Sequence, residues 1–161
     1  SPLLAPIKSA ATICVRSGKP NKASSGVFSG IIREPLAGME AILPVDESVR
    51  LGHASPRSAF GFLVHAAGID GAALGPRRAL TMPGVSATVG EQIAALRKVA
   101  GDAVAARIRR EPDATIAKIV AGWPRNFDPQ RAIGLGFRAE ASFADIIRIH
   151  IEDELDGHWI K

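Results

Sequence analysis

Between Arg50 and Ser58 the chain reads Arg-Leu-Gly-His-Ala-Ser-Pro-Arg-Ser, which brings two guanidinium groups, an imidazole and two hydroxyls together. Arg offers a planar fork of donors that suits a carboxylate or a phosphate, and a helix N-terminus adds partial positive charge to the same place. These residue types point to anion binding between a strand and a helix start, through Arg50, His53 and Arg57. The competing reading is a surface salt bridge at Arg57 with Ser58 as a helix cap. A second polar group runs from Thr12 to Ser25, at the end of an apolar run and through a loop of Gly, Lys, Pro, Asn and Ser. In α/β proteins the C-terminal ends of the strands are where ligands usually bind.

Other chemistry is not supported by spacing. No Gly-x-Gly-x-x-Gly opens a strand–helix unit and no Gly-x-x-x-x-Gly-Lys-Ser/Thr is present, so neither a dinucleotide loop nor a P-loop can be read. The histidines at 53, 65, 150 and 158 do not pair at a ligand spacing. His150-Ile-Glu152-Asp153-Glu154 reads as an acidic solvated face, because i and i+2 point different ways on a helix. Cys14, the single cysteine, lies in an apolar run and is expected to be buried and inert.

The elements that must position these groups alternate. Residues 11–16 predict a buried strand, and 28–36 a short helix that ends near Pro35. Ala41–Val45 and Val49–His53 predict strands either side of an acidic turn. Ser58–Ile69 predicts a helix with Phe60, Leu63, Val64 and Ala67 on its core side. Ala79–Met82 and Val104–Ile108 are further strand candidates. Thr88-Val-Gly-Glu91 is a capping box ahead of a helix that Gly101 stops. Asp113 caps a short helix, and Asp128-Pro129 opens another turn. Ser142 caps a last helix with Phe143, Ile146, Ile147, His150, Ile151 and Leu155 as its apolar stripe. Interleaved strands and helices predict an α/β fold.

At 161 residues, 47% hydrophobic and 22% charged, the chain suits one globular domain. Its net charge of +4 is spread rather than gathered into a stripe with aromatic platforms, which argues against a nucleic-acid partner. No apolar stretch reaches the roughly 18 residues that span a bilayer. The single cysteine and the absence of a signal-like start favour a cytoplasmic, reducing setting. The first residue is not Met, which points to a chain processed, trimmed or cut from something longer.

Several strings then resemble a known family. They are Thr-Ile-Cys-Val-Arg-x-Gly-Lys-Pro-Asn-Lys-Ala-x-Ser-Gly (12–26), His-Ala-Ser-Pro-Arg-Ser-Ala (53–59), Gly-Trp-Pro-Arg-Asn-Phe-Asp (122–128), Leu-Gly-Phe-Arg-Ala-Glu-x-Ser-Phe (135–143) and Ile-His-Ile-Glu-Asp-Glu-Leu (149–155). From residue 11 onward the chain resembles the C-terminal half of D-erythronate dehydrogenase-like proteins. These belong to the extended short-chain dehydrogenase/reductase (NAD-dependent epimerase/dehydratase) superfamily. Residues 1–10 do not share the resemblance, and Ala11 and Ser17 stand where prolines are expected.

The resemblance implies a Rossmann-type α/β fold of which this chain carries the last central strand and the substrate lobe (11–161), after an atypical segment (1–10). It implies NAD as the cofactor of the complete enzyme, with Ala11 and Thr12 facing it. Thr12, Asn21, Ser25, Arg50, His53 and Arg57 are the implied substrate-binding positions. The ligand would be a small sugar acid or a nucleotide-sugar, with the arginines on its acidic group. Hydride transfer at a secondary alcohol is the implied reaction. Such enzymes also use a Tyr-x-x-x-Lys pair, and the chain has no Tyr. The expectation is therefore a substrate-binding part without its own catalytic residues; a non-catalytic binding module or an inactive remnant is the alternative, and homo-oligomerisation is left open.

Overall fold

The computed structural model describes residues 7–8, 11–19, 24–125 and 127–161. In chain order its strands are β1 (Ile7–Lys8), β2 (Thr12–Ile13), β3 (Ala41–Leu43), β4 (Arg50–Ala54), β5 (Leu80–Thr81), β6 (Val85–Thr88) and β7 (Ile108–Arg110). Its helices are α1 (Val27–Leu36), α2 (Pro56–Gly68), α3 (Gly71–Leu74), α4 (Val89–Ala100), α5 (Asp102–Ala105), α6 (Ala114–Ala121), α7 (Gln130–Gly134) and α8 (Phe143–Glu154). A 3-10 turn at Ser24–Gly26 leads into α1.

Three small sheets result. In the central one, β2 runs parallel to β4 and β6 lies antiparallel on the other side of β4. Thr12 is registered with His53, and Arg50 with Thr88. β3 pairs in parallel with β7, and β1 with β5. Residues 7–8 thus join a strand that lies some seventy residues later in the chain, with Ile7 opposite Leu80.

The main core gathers Phe28, Ile31, Ile32 and Leu36 of α1 against Ile93 and Leu96 of α4 and Ile146 and Ile147 of α8. A smaller cluster of Phe62, Ala66, Leu80, Met82 and Phe137 lies under the other side of the central sheet's strand–helix junction. Arg107 ties distant ends together, donating to the Pro35 carbonyl at 2.9 Å and the Ile160 carbonyl at 2.6 Å.

Local signals are obeyed. Thr88 Oγ1 accepts from the Glu91 amide while the Glu91 carboxylate accepts from the Thr88 amide, completing the capping box of α4. Asp113 caps α6 and Ser142 caps α8. Elsewhere the structure differs. The expected strand over 104–108 divides into the single turn α5 and the strand β7, which begins at Ile108 where pairing to β3 becomes available. β6 carries no strong strand pattern of its own and forms because β4 offers it an edge.

The largest correction concerns α2. Its cap is Ser55, whose Oγ accepts from the Ser58 amide at 3.0 Å, with Pro56 at the first helical position. Its buried face carries Phe62 and Ala66. Phe60, Leu63 and Val64, expected in the core, are 69%, 61% and 56% exposed. The helix is apolar on two sides, and only one of them meets a neighbour here.

Candidate functional site

Strand alternation decides which side chains of β4 can meet a ligand. Leu51 and His53 turn inward and are buried, so Arg50 and Gly52 share the opposite face. On that face lies a cavity of about 410 Å³, lined by Ala11 beside β2, Gly52 of β4, Gly84 and Ser86 around β6, and Arg125 and Phe127 from the segment after α6.

Two glycines line it, and one is sterically required. A Cβ at Gly52 would meet the Phe127 ring in ordinary contact at 3.6 Å. A Cβ at Gly84 would stand 2.8 Å from the His53 carbonyl oxygen and 3.0 Å from the Ala11 side chain, so the two backbones can meet there only with glycine. Replacing Gly84 with Ala is expected to cost about 1–3 kcal/mol through forced backbone displacement. A urea midpoint equal to that of the parent chain would show that the close approach carries no weight.

Arg50 lies along the rim, donating to the Ser86 carbonyl at 3.4 Å, to Ser86 Oγ at 3.3 Å and to Glu91 at 3.2 Å. Those bonds brace the Arg50 fork between β6 and the start of α4, and hold Ser86 at the cavity wall. Arg125 is different. It is exposed at the cavity and makes no hydrogen bond or ion pair among the described residues, leaving its fork available to an anion. Reading the residues one segment at a time did not single it out, although it sits in the Trp-Pro-Arg-Asn-Phe string; the signal for it is spatial.

Other expected site residues are distributed elsewhere. His53 is fully buried: Gln92 Nε2 donates to its Nε2 at 2.7 Å, and the Phe143 ring meets it edge-on with centroids 5.2 Å apart. Burial lowers its pKa from 6.5 to about 4, so the ring is neutral and serves the core. Alternation along β4 turns it away from this cavity. Thr12 is its half-buried neighbour across the β2–β4 ladder.

Arg57 is likewise engaged, donating to Asp153 at 2.5 and 3.2 Å and to Glu152 at 3.0 Å. These bonds to two carboxylates raise its pKa above the ordinary arginine value and clamp the start of α2 to α8. Its fork is directed to α8, an engagement that only the placement of α8 makes visible. Ser25 lies in the 3-10 turn ahead of α1, away from the cavity lining. Asn21 lies outside the described residues.

One further residue was missed. Glu140 accepts from the Ser55 amide at 3.2 Å and from Ser58 Oγ at 2.7 Å, and also bonds Ser55 Oγ. It pins the strand-to-helix corner beneath the site. Cys14 is inert: its thiol donates to the Phe28 carbonyl at 3.0 Å, and burial pushes its pKa up to about 12.

Four helix starts are closed to a dinucleotide's pyrophosphate. The helices that start near strand ends have their first amides closed by their own caps, as at Ser55, Thr88, Asp113 and Ser142. Among the described helices of eight residues or more, α1 alone starts without a side-chain cap, at Gly26. The Ala11–Thr12 position can at most face a cofactor that is held by other residues.

No family model matches the chain. Over 142 residues, 88% of its length, it is 47% identical to the D-erythronate dehydrogenase of Cupriavidus necator, of which it spans 44%. It is 39% identical over 144 residues to the D-erythronate dehydrogenase of Haemophilus influenzae, spanning 46% of that protein. The crystal structure of the nucleoside-diphosphate-sugar epimerase from Agrobacterium tumefaciens superposes with a TM-score of 0.91 and 61% identity, over 94% of this chain and 44% of that one. The chain matches the C-terminal half of a D-erythronate dehydrogenase-like protein. Its fold is that of the corresponding part of the extended short-chain dehydrogenases and epimerases. L-threonine dehydrogenase from Phytophthora infestans shares that fold at a TM-score of 0.77 and 16% identity. The chain spans under half the length of the curated D-erythronate dehydrogenases it matches. Among the described residues no helix is long and apolar enough to cross a membrane.

Proposed function

We propose that this chain is the substrate-binding part of an NAD-dependent dehydrogenase acting on a short sugar acid, and that Arg125 takes the acid's carboxylate. The observation that carries this reading is the guanidinium of Arg125, without a hydrogen bond or ion pair among the described residues, at a cavity whose lining includes Ser86, itself held by Arg50. The names of the D-erythronate dehydrogenase relatives support the acid as the ligand class. A volume of about 410 Å³ is near the small end for ligand pockets, which favours a short acid over a nucleotide-sugar. The name of the Agrobacterium structure keeps the nucleotide-sugar as the second reading.

In this proposal hydride transfer takes place only when a nucleotide-binding half is supplied. That half would hold NAD, which accepts the hydride, and would bring the proton-transferring Tyr. The exposed face of α2 and the outer edge of β2, which pairs only with β4 among the described residues, are where it would dock.

The test is to mix the chain with the separately produced N-terminal half of the Cupriavidus enzyme and follow NADH formation with D-erythronate. Turnover is expected from the mixture and from neither part alone. Arg125→Ala is expected to raise KM roughly 10- to 100-fold, the effect of losing a charge-assisted contact, with a smaller change in kcat. Binding of D-erythronate without turnover in the mixture would favour the non-catalytic module, and turnover on a nucleotide-sugar alone would favour the second reading.

A further inference from the structure

The cavity beside Gly52 has a polar side and an apolar one. Ser86 and Arg125 are polar, with Arg50 on the rim. Ala11, Met82, Phe127 and Pro129 are apolar. Two of these have evident work in the fold. Met82 is 2% exposed and belongs to the smaller core cluster, and Pro129 is the residue from which α7 starts.

Phe127 has no such work. It is half-buried, yet it belongs to neither hydrophobic cluster of the described residues. Among those residues its ring meets no other aromatic ring. Its ring carbons Cδ2 and Cε2 lie 3.6 and 3.7 Å from where a Cβ of Gly52 would stand, so the ring lies over the bare strand. A phenyl ring that the core does not hold stays in contact with water unless something covers its free side.

The ring's position is nevertheless fixed. Asp128 Oδ1 accepts from the Gln130 amide at 3.0 Å, Arg131 donates to the Leu74 carbonyl, and Ala132 is buried in the smaller cluster. The chain just after Phe127 is thus tied to the body, which keeps the ring at the cavity.

Arg125 lies two residues earlier, so one short stretch brings a cation and an apolar ring to the same cavity. A bare anion uses only the cation. A carboxylate on a carbon chain uses both, because its C–H groups can lie on the ring while the carboxylate meets the guanidinium.

We propose that Phe127 is a specificity-determining residue of this cavity: its ring is the apolar wall for the carbon chain of a bound acid, and it makes the site prefer a sugar acid to a bare carboxylate. The proposal rests on the carboxylate reading given to Arg125 and deepens it by assigning what recognises the rest of the ligand.

The test titrates D-erythronate and formate, a carboxylate without a carbon chain, into the 161-residue chain by ligand-observed NMR. D-Erythronate is expected to bind at least about tenfold tighter than formate, the ratio that one partly buried apolar contact supplies. Phe127→Ala should remove most of that ratio by weakening D-erythronate alone, with the urea midpoint little changed. Because Phe127→Ala could still disturb the chain around Gly52, Phe127→Leu and Phe127→Gln form a second pair, similar in size and opposite in polarity. The Leu variant should keep most of the preference and the Gln variant should lose it.

Arg125→Ala tests the carboxylate reading separately, since it should weaken both acids alike. If it weakens neither while Phe127→Ala still lowers D-erythronate binding, the carboxylate assignment fails and the apolar wall stands. Three results would overturn the wall: a folded Phe127→Ala that keeps the preference, equal preferences in Phe127→Leu and Phe127→Gln, or no saturation by D-erythronate at about 10 mM. A loss of stability with the preference intact would likewise reduce the ring to a cover for β4.

Discussion

Folding stability is expected to fall by on the order of 3 kcal/mol as the protein is acidified from about pH 6.5 to pH 4, with His53 as the main cause. The ring is fully buried, accepts a hydrogen bond from Gln92 through Nε2, and sits edge-on to Phe143. Protonation would put a charge among those groups and would remove the acceptor that Gln92 uses. The folded pKa is therefore depressed to about 4, against 6.5 when the ring is free in water. Between those values the unfolded chain takes up a proton that the folded chain refuses, so stability rises with pH across the window. The contribution is fully present above 6.5 and is lost as the pH falls towards 4.

His150 is also depressed by burial and acts in the same direction. The lowered carboxylates Asp46, Glu91, Asp145 and Asp153 lose their contributions only as they protonate, further to the acid side, and all are well solvated. Urea unfolding across pH separates the two ranges. In His53→Gln the slope above pH 4 should largely vanish, even though that variant starts from a lower stability at neutral pH. A slope that persists unchanged in His53→Gln would assign the acid sensitivity to other groups.

The isolated chain is expected to self-associate, and Phe60→Ser, Leu63→Gln and Val64→Thr together should make it monomeric. These side chains are more than half exposed, and with Ala67 they follow the spacing of one helix face. A contiguous apolar patch of this kind drives association when its partner is absent. Because none of the three contributes to the folded core, each change should alter stability by no more than about 0.5 kcal/mol. Phe62→Ala, two positions from Phe60 on the buried face, should instead cost roughly 3–5 kcal/mol.

Light scattering reads the first effect and thermal unfolding the second. The triple variant should also lose most of its capture of the complementary N-terminal half, which separates a docking face from incidental stickiness. A monomeric parent chain, or a triple variant that captures the half as well as the parent does, would contradict the role given to α2.

The two faces of α2 also show where the sequence stops being sufficient. Phe60, Leu63 and Val64 repeat at helical spacing as convincingly as any core stripe, and Phe62 and Ala66 repeat on the other side. Periodicity identifies the helix; which side is buried depends on what the rest of the chain places against it, here Phe137 and Met82. The capping box at Thr88 and Glu91, the Asp113 and Ser142 caps, and the stripe of α8 were legible because each depends on residues within a turn or two of one another. The resemblance strings, long and specific, also led to the fold.

The site was less legible for the same physical reason. The Arg50–Ser58 segment does contain the anion-seeking residue types, but β4 alternation turns His53 into the core, and α8 places Asp153 and Glu152 on Arg57. Arg125, distant in sequence, meets Gly52 and Ser86 only once the chain is folded. By itself the sequence determined most of the element types, most of the helix caps and the kinship. Only the tertiary structure decided which side of α2 is covered, that Arg57 meets two carboxylates, and that Arg125 lies at the cavity, because burial and pairing between distant segments are properties of the assembled chain.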